Sequence, residues 1–119
     1  LNPDIVIQES PRIVSHYEDF YNVKFGSRLK LNLFMHLSLM IERMMTSKRS
    51  TTSIDRATLT PPEQEFFSLS SGIFQPVEQK FNIKVQDYEI ALLYQLLKDF
   101  IFVAWSHDKK ARRWTIISS

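Results

Sequence analysis

The apolar residues of this 119-residue chain recur at intervals of three and four, the period of a helix face and not of a strand. Ile13, Tyr17, Phe20 and Tyr21 keep this spacing over about 10–22, and Leu33, Leu37, Met40, Ile41 and Met44 over about 27–46. A third run, Phe66, Phe67, Leu69, Ile73, Phe74 and Val77, reaches about 81. A fourth, Ile90, Leu93, Tyr94, Leu97 and Ile101, covers about 87–104. Only two glycines are present, Gly26 and Gly72, too few for a sheet of tight hairpins or a Gly-rich phosphate loop. The expected fold is all-α, a compact bundle of about five helices.

Local signals divide the chain further. Ser10 before Pro11 reads as a cap and first-turn pair, with residues 3–9 as an earlier turn joined through a kink. Gly26 and Ser27 punctuate the start of the second helix. Residues 46–60 are polar, rich in Ser and Thr and aperiodic, a loop with one short turn around 54–57. Thr60-Pro61-Pro62-Glu63 opens a helix with a cap, an early proline and a carboxylate in the first turn. Gly72 and Pro76 predict a split of the third run into two short helices. Asn82-Ile83-Lys84 is a connector, and Asp87 precedes the last helix. No internal repeat or low-complexity segment is visible. The division is a helical domain over 1–104 and a basic C-terminal tail over 105–119.

Several chemistries are excluded. Cysteine is absent, so there are no disulfides, thiolate metal sites or Cys nucleophiles. Three histidines without HExxH or HxH spacing argue against a metal centre. Glu63 and Glu65 belong to a helix start and Glu18-Asp19 to a polar face, so no carboxylate pair is set for acid–base work. The chain is expected to be no enzyme and to need no cofactor. The 44% apolar and 24% charged shares suit a soluble globular domain, and no apolar run approaches the ~18 residues a bilayer requires. A cytoplasmic location is expected, and a chain that opens on Leu1 reads as a piece of a longer protein.

Charge is unevenly spread. The net +2 arises in the tail, where Lys109, Lys110, Arg112 and Arg113 face Asp108 alone. The other 106 residues carry 11 basic and 12 acidic side chains. A nucleic-acid binder shows a basic stripe on its folded body. This body has none, so no direct nucleic-acid contact by the domain is expected.

The second helix is apolar beyond its core stripe. On a wheel of ~100° per residue, Leu31, Met35 and Leu39 fall away from Leu37, and Met35 and Leu39 become candidates for a homodimer interface. His36 lies about 100° from Leu37, at the border of the core stripe. Asn32 and Arg43 fall within ~40° of it on the same side. Neutral imidazole is a competent nucleophile near pH 7, and a guanidinium is suited to a phosphoryl dianion. Spacing alone leaves two readings, a packed histidine or a phosphoryl acceptor, and favours the packed one. His16 and His107 have no carboxylate at useful spacing and read as surface residues.

A resemblance shifts that balance. The stretch Leu33-Phe34-Met35-His36-Leu37-Ser38-Leu39-Met40-Ile41-Glu42-Arg43-Met44 resembles the signature helix of the PTS regulation domain, the PRD. Phe81-Asn82-Ile83-Lys84-Val85, followed by Asp87, Glu89, Ile90 and Ala91, is similar to the family's entry into its last helix. Leu1-Asn2-Pro3 and Tyr21-Asn22-Val23-Lys24-Phe25 resemble its first-helix region, so the likeness spans about residues 1–100. The resemblance implies that His36 is the site of regulatory phosphorylation by the bacterial phosphotransferase system, with HPr or an enzyme IIB as donor. It implies support of the phosphate from Arg43 and Asn32, and action alongside other domains of a transcriptional regulator. Leu96 stands where the family often has a second histidine. A one-histidine domain with a long polar loop is most similar to the C-terminal PRD of levanase-regulator-type activators, less to the antiterminator type. The segment 105–119 matches nothing in that pattern.

Overall fold

In the computed structural model, residues 3, 5–46 and 53–118 are described, together with their side chains except those of Val6 and residues 107–118. Four α-helices carry the fold: α1 (Ser10–Tyr21), α2 (Ser27–Thr46), α3 (Pro61–Phe81) and α4 (Asp87–Ser118). A π-helical turn, Ile5–Glu9, leads straight into α1, and a single 3₁₀ turn, Arg56–Thr58, precedes α3. No strand occurs among the described residues. The all-α expectation holds, with four helices in place of about five.

The missing break is the one expected at Gly72 and Pro76, because α3 runs through both. A proline inside a helix forfeits the bond to the carbonyl four residues back, here Gly72, and its ring crowds that carbonyl. Both residues lie on the exposed face, and a Cβ at Gly72 would meet only open space. The opposite face buries Ile73, Phe74 and Val77, which holds the two halves of the helix in line. Arg12 donates from Nη2 to the adjacent Ile73 carbonyl at 3.3 Å, supplying a donor beside the gap in the backbone ladder.

Helix ends differ from expectation in two further places. Ser10 does not cap α1: the preceding residue Glu9 is already in helical conformation, and Ser10 is fully buried with its hydroxyl unpartnered. A π turn continuous with the helix leaves no free N-terminus for that hydroxyl to cap. The last helix continues to Ser118, past the end expected near 104. Residues 105–118 contain neither Gly nor Pro, and Lys109-Lys110-Ala111-Arg112-Arg113 is a run of good helix formers, so propensity carries the helix beyond its apolar stripe. At the start of α3 the expected cap is complete. The Glu63 N–H donates to Thr60 Oγ1 at 3.4 Å, and the Thr60 N–H to Glu63 Oε1 at 2.9 Å. Of the expected loop, residues 47–52 lie outside the described residues.

The core is shared by all four helices and the π turn. Tyr17 stacks on Phe66 with ring centroids 5.2 Å apart, and its hydroxyl shares a 2.6 Å hydrogen bond with Ser70 Oγ. Burial holds the Tyr17 phenol neutral far above its usual range. Two residues placed on the core stripes are not core: Phe20 is half exposed and Met44 only half-buried. Phe20 lies one residue before Tyr21, edge-on to its ring, so the buried Tyr21 takes the inward position.

Contrary to the sequence-based expectation, the fold repeats itself 60 positions on. Helices α1 and α3 end at Tyr21 and Phe81, and α2 and α4 begin at Ser27 and Asp87. Each hairpin turns on an asparagine in the left-handed region, Asn22 at φ 54° and Asn82 at φ 53°. In each, a glutamate four residues earlier accepts the N–H three residues after the asparagine. Phe25 N–H donates to Glu18 Oε2 and Val85 N–H to Glu78 Oε2, both at 2.8 Å. Buried pairs follow the same offset: Ser10 and Ser70, Ile13 and Ile73, Leu33 and Leu93, Leu37 and Leu97, Ile41 and Ile101. The molecule is two copies of a helical hairpin packed on one core.

Candidate functional site

His36 lies midway along α2, half-buried, between the fully buried Leu33 and Leu37 on one side and the exposed Met35 on the other. Its Nε2 is sealed from solvent and has no hydrogen-bond partner. Asn32, one turn earlier, is exposed. Leu31, Met35 and Leu39 are 62%, 57% and 44% exposed, so the outer apolar strip expected of this helix faces solvent. His36 thus occupies the seam between buried core and uncovered apolar strip.

Arg43 is on the same helix but is committed elsewhere. Its Nε and Nη2 form a fork to the Glu89 carboxylate at 3.2 and 2.8 Å. Glu89 is almost fully buried in the first turn of α4, where the helix dipole favours a negative charge. The hydrogen bonds to Glu89 raise the Arg43 guanidinium further above its already high range. A phosphoryl group on His36 would have to share this side chain with Glu89. The two sequence segments read as motifs, Glu42-Arg43 and Asp87-x-Glu89, therefore meet in space, and the contact ties the histidine-bearing helix to the last one. Sequence reasoning missed Glu89, because a carboxylate two residues into a helix reads as a dipole partner and not as a cross-helix ion pair.

A second fork flanks the first. Arg56, in the 3₁₀ turn, donates from Nε and Nη2 to Asp87 at 3.0 and 2.7 Å, with its guanidinium 5.6 Å from the Phe67 ring centroid. Those hydrogen bonds hold the Asp87 carboxyl below its ordinary range. A shallow groove over the last turns of α2 is lined by Leu39, Glu42, Arg43, Met45 and Thr46. No group of three or more potential metal ligands is found among the described residues. His16 is exposed on α1, and the side chain of His107, like those of Lys109, Lys110, Arg112 and Arg113, lies outside the described residues. No described helix is long and apolar enough to cross a membrane. By the 60-residue repeat, the position in α4 equivalent to His36 is Leu96.

The transcriptional regulatory protein DagR of Salmonella typhimurium is 24% identical over 99 residues, 82% of this chain. The chain spans 10% of the length of that relative. No solved structure matches. The PRD domain family matches residues 12–99, from the first turn of α1 into α4, a span that includes both hairpin turns, His36 and the Arg43–Glu89 pair. With three quarters of its length accounted for in this way, the chain belongs to the PRD domain family.

Proposed function

We propose that this domain is the phosphorylation-controlled regulatory module of a bacterial transcriptional regulator of sugar-utilisation genes. His36 accepts a phosphoryl group from HPr or an enzyme IIB of the phosphotransferase system. The observation that carries this reading is the placement of His36 at the seam between the core stripe and the uncovered strip Leu31, Met35 and Leu39. A phosphoryl group adds nearly two negative charges there. If two copies pair through Met35 and Leu39, that charge stands at the edge of an apolar interface and is repelled and desolvated by it. Asn32 supplies an amide donor one turn away, and Arg43 contributes by sharing its guanidinium between Glu89 and the phosphate. Moving a two-state pairing from 1:99 to 99:1 takes about 5.5 kcal/mol, so several contacts change with each phosphate. Other domains of the same regulator read the change, and the domain itself makes no direct nucleic-acid contact.

The test is intact mass after incubation with phosphoenolpyruvate, enzyme I, HPr and a panel of enzyme IIB proteins. The expected result is an acid-labile gain of one phosphoryl group that disappears in His36→Ala. A second reading, a helical dimerisation module without phosphoryl acceptance, draws on the same exposed strip. It predicts no mass gain with any donor, while Met35→Glu and Leu39→Glu still convert a dimer to a monomer in sedimentation.

A further inference from the structure

Helices α2 and α4 hold equivalent places in the two hairpins, so α4 shows what α2 needs for packing alone. Both bury the same inner positions, Leu33 and Leu93, Leu37 and Leu97, Ile41 and Ile101. Their outer faces differ. The exposed row Leu31, Met35 and Leu39 corresponds, 60 positions on, to Ala91, Gln95 and Asp99, and His36 corresponds to Leu96. An outward apolar row is present on the helix that carries the histidine and is replaced by small or polar residues on the helix that lacks it.

Charge divides in the same way. The first turn of α2 holds Arg28 and Lys30 and no carboxylate, whereas that of α4 holds Asp87 and Glu89. A cation at a helix N-terminus stands against the macrodipole, so the helix gains nothing from Arg28 there. Arg28 is exposed and makes no hydrogen bond or ion pair among the described residues. On the wheel it falls within ~20° of both Met35 and Leu39. No acidic residue occurs from 27 to 41. The outer face of α2 is therefore an apolar row with a free cation at one end and His36 on its border.

Resting on the reading of His36 as the acceptor, we infer that Arg28, Leu31, Met35 and Leu39 form the docking face for the carrier protein that delivers the phosphoryl group. Asn32, Met35 and Leu39 are the neighbours of His36 one turn back, beside it and one turn on, so a carrier that reaches the histidine stands on them. The apolar row meets an apolar patch on the carrier, and Arg28 draws the anionic, phosphorylated carrier onto it. The row offers an area on the order of a few hundred Å², against the about 800 Å² per partner of a standing interface. That size suits a short-lived encounter, whereas a second copy needs further surface beyond the row. A second copy seated there has to leave before the carrier docks.

The experiment is the initial rate of phosphorylation of the whole chain, read by intact mass against the concentration of whichever carrier, HPr or an enzyme IIB, charges it. The protein is compared with Arg28→Glu and Met35→Ser. Each variant is expected to raise the carrier concentration for half-maximal rate about tenfold and to leave the saturating rate within about twofold. Arg28→Glu should also flatten the salt dependence of the rate. Thermal melts separate docking from folding: a carboxylate in the first turn suits the helix dipole, so Arg28→Glu should melt no lower than the protein while docking worse. Phosphate on His36 with unchanged half-maximal concentrations in both variants overturns the docking face and leaves the acceptor reading standing. Faster phosphorylation of Met35→Ser, joined to loss of a dimer in sedimentation, also overturns it and assigns the row to a second copy alone. No phosphate on His36 with any carrier overturns both.

Discussion

Arg43, proposed to support the phosphate, is also a structural partner in the fold. Its guanidinium forks to Glu89, a carboxylate only 3% exposed. Removing the arginine strands that carboxylate in a dry place, whereas removing the glutamate returns a half-exposed guanidinium to water. Arg43→Met is therefore expected to cost about 2–4 kcal/mol in urea unfolding, and Glu89→Gln only about 1 kcal/mol. The double variant Arg43→Met/Glu89→Met should be more stable than Arg43→Met alone. Equal costs for the two single variants would show that the pair is not desolvated as described. The position of His36 on the rim of the core was legible from helical spacing. The partner of Arg43 was not, because it lies 46 residues away and no local pattern marks it.

Elements are decided by the balance between local preference and packed surface, and α3 is the clearest instance. Gly72 and Pro76 both argue for a break, yet the helix is continuous because its buried face, with Phe66, Phe67, Ile73, Phe74 and Val77, outweighs their cost. Pro76→Ala restores the lost backbone bond without touching the core, and should raise stability by about 1–2 kcal/mol in chemical denaturation. A loss of stability would mean that the proline ring itself is required for packing. The start of α4 carries a pH signature. Asp87, pulled below its unfolded value near 3.8 by Arg56, contributes stability at pH values above that figure. The contribution is lost as pH falls through the lower folded value. Since both partners are partly exposed, it amounts to less than about 1 kcal/mol. The stability difference between the protein and Asp87→Asn should accordingly close as pH drops below about 4 in acid titrations followed by circular dichroism.

At the scale of the molecule, two hairpins of the same design meet on one core, and each turns on an asparagine held in the left-handed region. Asn22→Ala and Asn82→Ala should cost about the same, near 1 kcal/mol each, and the glycine variants should be close to neutral. Unequal costs in thermal melts would mean that the two turns are not equivalent. The repeat went unread in the sequence because identical residues are scattered, and because a buried position can hold Val14 in one copy and Phe74 in the other. Burial selects for volume and apolarity in three dimensions, not for residue identity. What the amino-acid order determined unaided was the class of fold, the four helical segments, the capped start at Thr60 and the border position of His36. These depend on periodicity and on contacts within a few residues, which are written locally. The continuity of α3, the fork between Arg43 and Glu89, the twofold repeat and the sealing of Nε2 were decided only when distant segments packed. Each depends on which surfaces are removed from water together, and no stretch of chain carries that information alone.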